Sequence, residues 1–141
     1  MTGKVALVTG GSSGIGRATA LAFAREGARV AIGSRHKSKA EEVVRAIRDQ
    51  GGDAVWLQAD VTDAAQVRTL VDRTVAAFGG LDYAFNNGGS GGRARLTAEM
   101  DERDWDETID GYLKSVWLCL CSERATFVVG SALAIDGGYL A

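Results

Sequence analysis

The stretch from Lys4 to Gly16 constrains this chain more than any other. Lys4-Val-Ala-Leu-Val-Thr9 is a short, almost continuous apolar run that stops on Thr9-Gly-Gly-Ser-Ser-Gly-Ile-Gly16. A run with no polar alternation suits a strand buried on both faces, as in a parallel sheet covered by helices. The segment after Gly14 has helical spacing, so the glycine-rich stretch is predicted to be a strand-to-helix turn. In such a turn the backbone N–H groups of Gly10, Ser12, Ser13, Gly14, Ile15 and Gly16 and the positive end of the helix converge on one point. A pyrophosphate suits that point, and glycine is needed because a Cβ would hold the phosphate away.

The remainder repeats the strand-helix theme. Ile15, Ala18, Ala22 and Phe23 recur at helical spacing and predict the apolar face of the first helix, with Gly27 as its left-handed terminus. Arg29 to Gly33 reads as the second strand. Val43, Val44 and Ile47 mark an amphipathic helix closed by Gly51-Gly52, and Ala54 to Ala59 is the third strand. Thr62 or Asp63 is expected to cap the next helix, with Gln66 three residues after Asp63. Its predicted apolar face is Val67, Leu70, Val71, Thr74, Val75 and Phe78, and Gly79-Gly80 stops it. Leu81 to Phe85 is the fourth strand. Four strands alternating with helices predict a doubly wound, mostly parallel α/β sheet with right-handed crossovers. The chain has 141 residues, a length expected to form one domain, residues 1–141, around one core.

From Thr97 the pattern turns helical again. Trp105, Ile109, Leu113, Val116, Trp117 and Leu120 line an apolar face that becomes apolar all round near 116–121, which predicts burial or an interface. Ala132 to Ile135 reads as a last strand and Asp136-Gly-Gly138 as a tight turn. Gly88 to Gly92, interrupted by Ser90, is expected to be a loop.

Several functions are disfavoured at this level. Sixteen basic and 18 acidic side chains leave a net charge of −2, which argues against nucleic acid or an anionic lipid surface and favours a small soluble ligand. No apolar run approaches the roughly 20 residues that span a bilayer, and Met1 leads straight into a strand pattern without a signal-peptide layout. A cytoplasmic location is therefore expected. Cys119 and Cys121 give neither a disulfide framework nor a metal knuckle, so inert thiols and no metal site are expected. Gly10-Gly-Ser12-Ser-Gly14 matches the nucleophile elbow G-x-S-x-G, but that triad needs an acid and then a histidine, and the sole histidine is His36 with only Glu26 between. A P-loop is disfavoured because Arg17 and Ala18 stand where Lys and Ser or Thr are required. His36 itself reads as a surface residue.

In this position the turn resembles the signature of the short-chain dehydrogenase/reductase family, T-G-x-x-x-G-I-G, matched by Thr9 through Gly16. Asp60-Val61 after the third strand is similar to the family's adenine-contacting pair. Asn86-Asn87-Gly88-Gly89 resembles its N-N-A-G, with Gly88 in the alanine place. The resemblance runs from Lys4 to about Cys121 and resumes near Arg124, where Val129 to Gly138 looks like the family's closing strand and D-G-G turn. It implies a Rossmann-type domain holding a nicotinamide dinucleotide, and an ancestral reaction in which hydride passes between a carbonyl and an alcohol. Where an NAD-selective site normally carries Asp or Glu, this chain has Ser34-Arg35-His36-Lys37. The Arg35 fork suits a 2′-phosphate, so NADP(H) is expected over NAD(H).

The chain also departs from the family. Full-length relatives carry a Tyr-x-x-x-Lys helix, a Ser on the preceding strand and an Asn in the long helix after the fourth strand. Here Tyr83 is followed four places on by Asn87, Tyr112 by Val116, and Tyr139 lies two residues from the end. Tyr112 also stands at the helix Asn position, in Asp110-Gly-Tyr112-Leu-Lys-Ser115. No catalytic residue is therefore assigned. The pattern reads as an internal shortening near Cys121 to Arg124, giving a truncated sheet in which segment 123–141 either pairs beside the fourth strand or leaves the apolar helix uncovered. Two readings remain: a shortened NADP(H)-binding member of the family, with a small carbonyl or alcohol substrate only if active, or a non-catalytic module that assembles, as a homo-oligomer, through the 105–121 helix.

Overall fold

The computed structural model describes residues 1–89 and 96–120. In chain order these form β1 (Val5–Thr9), α1 (Gly14–Arg25), β2 (Arg29–Ser34), α2 (Lys37–Arg48), β3 (Ala54–Gln58), α3 (Ala64–Phe78), β4 (Tyr83–Asn86), a 3₁₀ turn (Thr97–Glu99), α4 (Glu102–Ile109), a π-helical turn (Asp110–Lys114) and α5 (Ser115–Leu120). All strand pairs are parallel, in the order β3-β2-β1-β4, with Val5 opposite Arg29 and Thr9 opposite Asn86. The expected doubly wound sheet is present.

Alternation along the strands divides the core between the two faces. Val8, Val30 and Ile32 pack with Ala20 of α1 and Ala40, Val43 and Ile47 of α2. Val5, Leu7 and Ala31 face the other way, onto Leu70, Val71 and Phe78 of α3. Each fully buried Leu, Ile or Val contributes about 1.5–3 kcal/mol, so both faces are needed to hold the sheet. The predicted faces of α2 and α3 are those observed. Glycines end the elements as expected: Gly27, Gly51 and Gly79 have φ of +83°, +81° and +80°, where a Cβ would be strained. Asp63, rather than Thr62, caps α3 by accepting from the backbone of Ala65 and Gln66 at 2.8 and 3.2 Å.

Three expectations are corrected. On α1, Ile15, Ala18 and Ala22 are exposed, and the face against the sheet is Gly16 and Ala20 with the half-buried Phe23 and Ala24. The helix lies so close to the sheet that small residues face inward. The fourth strand begins at Tyr83 rather than Leu81, and Asp82 just before it is bonded to the start of β1, its backbone N–H donating to Val5 O at 2.9 Å. Beyond Thr97 a 3₁₀ turn precedes a helical run over 102–120 that passes through a π-helical turn, and its inward positions are Asp104, Gly111 and Ser115. Trp105, Leu113 and Trp117 are 56%, 46% and 56% exposed, so this apolar face is uncovered by the described residues. Ser90, Gly91 and Gly92 of the expected loop, together with Cys121 and the closing strand and turn at 132–138, lie outside the described residues.

Asp82 ties β4 to the start of β1. Its Oδ1 accepts from Lys4 Nζ at 2.8 Å and its Oδ2 from the Val5 backbone N–H at 2.8 Å. The hydrogen bond from Lys4, then that from Val5, lowers the Asp82 pKa below the ordinary aspartate value of 3.8. A carboxylate whose folded pKa is depressed stabilises the fold above its unfolded pKa and loses that contribution as pH falls through the folded value. Acid titration of melting temperature is therefore expected to fall less steeply below pH 3.8 in Asp82→Asn than in the parent; equal slopes would contradict this.

Candidate functional site

β1 and β4 are neighbours in space, whereas β1 leads in sequence to β2 on its other side. The sheet therefore reverses its strand order between them, and helices leave opposite faces there. In open parallel sheets that reversal opens a crevice at the carboxyl ends of the strands. Here a cleft of about 460 Å³ runs from Ser34 and Arg35, past the turn, to Asn87, Gly88 and Gly89. Every site residue singled out from the sequence lines it except Gly16, which is buried beneath it.

The middle of the cleft is the glycine-rich turn. Ser13 precedes α1 in an extended conformation (φ −156°), its side chain makes no capping hydrogen bond, and the first turn holds no acidic residue. The first N–H groups of this 12-residue helix are thus left without an intrahelical or side-chain acceptor. Gly14 has φ +50° and nothing within 4 Å of where a Cβ would be. Gly16 is the opposite case: a Cβ there would lie 2.6 Å from Asn87 Nδ2 and 2.8 Å from the Gly10 carbonyl carbon. One glycine leaves space for an anion and the other lets the helix start lean on the turn, so the residues present fit a pyrophosphate.

Thr9, which the sequence reading treated only as the first letter of the motif, joins the two loops. Its buried hydroxyl accepts from the N–H of Asn87 at 3.0 Å and of Gly88 at 2.9 Å, and donates to Phe85 O at 3.5 Å. Its burial at a strand end was legible; its partners 76 to 79 residues away were not.

At the β2 and β3 end, Ser34 Oγ is buried and donates to His36 O at 3.4 Å, and the Trp56 indole N–H donates to Ser34 O at 3.2 Å. Arg35 Nη1 lies 3.6 Å from Asp60 Oδ2. Asp60 Oδ1 accepts from both the Thr62 N–H and the Thr62 hydroxyl, at 3.0 and 2.8 Å. The backbone bond from Thr62 is the main cause that lowers the Asp60 pKa, with Arg35 assisting, so the group is a carboxylate at neutral pH. His36 is exposed at the rim, as expected, and no hydrogen bond links it to Ser12, so the hydrolase reading finds no support in the geometry.

At the β4 end, the ring of Tyr112, in the π-helical turn, lies against Gly89: a Cβ on Gly89 would be 2.6 Å from Tyr112 Cδ1 and 3.1 Å from its Cζ. Burial pushes the Cys119 thiol up to about 11, which keeps it protonated and unreactive at neutral pH. Among the described residues no cluster of metal-ligating side chains occurs, and no helix is long and apolar enough to cross a membrane.

The short chain dehydrogenase family model matches residues 4–127. A 3-oxoacyl-[acyl-carrier-protein] reductase FabG of Staphylococcus aureus is 45% identical over 124 residues, covering 87% of this chain and 49% of the relative. A 3beta-hydroxysteroid dehydrogenase of Mediterraneibacter gnavus is 36% identical over 132 residues, 94% of this chain and 48% of its own length. Among solved structures, a short chain dehydrogenase from Burkholderia cenocepacia J2315 in complex with NADP superposes with a TM-score of 0.79 at 42% identity, covering 84% of this chain and 48% of that one. The chain thus spans about half the length of the relatives it matches.

Proposed function

This chain belongs to the short chain dehydrogenase family, and on that premise we propose that it binds NADP(H) in the cleft, in preference to NAD(H), without turning over a carbonyl substrate by itself. The observation that carries this reading is the uncapped start of α1 above the open face of Gly14. There the turn from Ser12 to Gly16 would take the pyrophosphate. Arg35 and the Ser34 hydroxyl would take the 2′-phosphate, Asp60 and Val61 the adenine, and Asn87 to Gly89 the nicotinamide end. The solved NADP complex of a relative supports a nicotinamide dinucleotide as the ligand class.

When bound, the dinucleotide supplies a hydride. The residues of this chain bind and orient it, but no Tyr-x-x-x-Lys pair occurs in the sequence to pass a proton to a carbonyl oxygen. At the lysine spacing, Asn87 follows Tyr83 and Val116 follows Tyr112. Catalytic residues are accordingly assigned to none of the chain, and a small ketone or alcohol is its substrate only in company that provides them. The uncovered Trp105, Leu113 and Trp117 favour a second, compatible role: self-association through the 105–121 helix. A cytoplasmic setting suits an unpaired Cys119.

Fluorescence titration tests the preference. A charge-assisted hydrogen bond is worth about 1.5–3 kcal/mol, or roughly ten- to hundredfold in affinity. Arg35→Ala is expected to weaken NADPH by about that factor and NADH by much less. Equal affinity of the parent chain for both, or an unchanged ratio in the variant, would overturn the preference.

A further inference from the structure

We propose that Asp60 is a positioning residue for cofactor choice, its carboxylate holding the Arg35 guanidinium across the β2 and β3 end of the cleft so that the fork meets a 2′-phosphate in place. The proposal rests on the NADP(H) reading above and assigns to Asp60 a role separate from contact with adenine.

The geometry distinguishes the two carboxylate oxygens. Oδ1 is committed to Thr62, through the N–H at 3.0 Å and the hydroxyl at 2.8 Å. That local turn fixes the plane of the carboxylate, so Oδ2 has a set direction, and it lies 3.6 Å from Arg35 Nη1. The backbone N–H of Asp60 is fixed too, by Gln66 Oε1 at 3.0 Å. Arg35, in contrast, projects from the end of β2 with 55% of its side chain exposed, its head group facing Asp60 in an ion pair. A free arginine side chain gives up rotamer entropy when a ligand immobilises it. A guanidinium has five N–H donors. The ion pair at 3.6 Å is too long to be a hydrogen bond, so the donors of the fork stay available to phosphate oxygens.

A competing effect has the opposite sign, because the carboxylate also repels a 2′-phosphate. At this exposed end of the cleft solvent screens that repulsion, and the expected net effect favours positioning.

The experiment compares NADPH and NADH affinities of the full chain by fluorescence titration in four proteins: parent, Asp60→Asn, Arg35→Ala and the double variant. Asparagine keeps the acceptor for Thr62 and turns the carboxylate oxygen facing Arg35 into an uncharged amide NH2. Adenine is common to both cofactors, so a lost adenine contact changes both affinities and leaves their ratio alone. Asp60→Asn is expected to lower the NADPH to NADH preference about three- to fivefold, and, when Arg35 is already alanine, to leave it unaltered or raise it slightly through the lost repulsion. Thr62→Val, which frees one of the two bonds on Oδ1 without touching a charge, is expected to lower the preference by a smaller factor and serves if Asp60→Asn does not fold. A preference that rises or stays constant in Asp60→Asn and Thr62→Val, or that falls equally without Arg35, overturns the proposal. A parent chain with no preference for NADPH refutes the underlying reading instead, and the proposal with it.

Discussion

Replacing Gly16 with alanine is expected to lower NADPH affinity by more than about hundredfold, equivalent to about 2.7 kcal/mol, and to lower the melting temperature as well. Helix propensity alone predicts the reverse, since alanine is about 1 kcal/mol better than glycine inside a helix. The structure decides the sign. The new Cβ would meet the Gly10 carbonyl group, at 2.8 Å from its carbon, and Asn87 Nδ2 at 2.6 Å. The carbonyl is backbone in the same turn and cannot swing away like a flexible side chain, so α1 must lift and its N–H groups lose their common target. Gly14→Asp provides the contrast. Its side chain would enter open space, so its effect on binding is expected to be as large, through repulsion of the pyrophosphate, while its effect on stability is limited to the strain of a positive φ. Calorimetry and thermal melts of both variants separate the two cases. Alanine at Gly16 with parental binding and stability would contradict the packing described for this turn.

Thr9→Val is expected to produce the other large effect. Valine matches threonine in shape but leaves the N–H groups of Asn87 and Gly88 without the acceptor they use at 3.0 and 2.9 Å. An unsatisfied buried donor costs about 1–3 kcal/mol, and two donors lose their acceptor here, both part-buried at the edge of the cleft where water meets them in part. A shift of the denaturation midpoint corresponding to about 1–3 kcal/mol is expected, with most of it restored by Thr9→Ser. If valine and serine behave alike, the hydroxyl does not hold the loops together.

These two positions show what was legible in the sequence. The glycines that end α1, α2 and α3 were readable because a positive φ is a local requirement with a local signature. So were β1 to β3 and the apolar faces of α2 and α3, where burial follows a simple period. The inward face of α1 was not readable by hydrophobicity, because the helix approaches the sheet through Gly16 and Ala20 and turns Ile15 outward, 71% exposed, toward the cleft. On α4 and α5 periodicity marks where apolar residues gather, and they gather on a side that the described residues do not cover, which excludes burial within the described fold and leaves the interface as the expectation. The cleft's membership was legible from the order of motifs along the chain. The contacts that organise it, Thr9 with Asn87 and Gly88 and Arg35 with Asp60, join separate strands and have no local pattern to betray them.

The N–H groups at the start of α1 are expected to receive the linked phosphates of a nicotinamide dinucleotide. The test is isothermal titration of the full chain with NADPH, paired with a thermal melt. The expected result is a saturable heat with one site per chain and a higher melting temperature, since ligand at a hundredfold excess over Kd stabilises the folded state by about 2.7 kcal/mol. No heat and no rise in melting temperature, with NADPH and NADP⁺ alike, would contradict it.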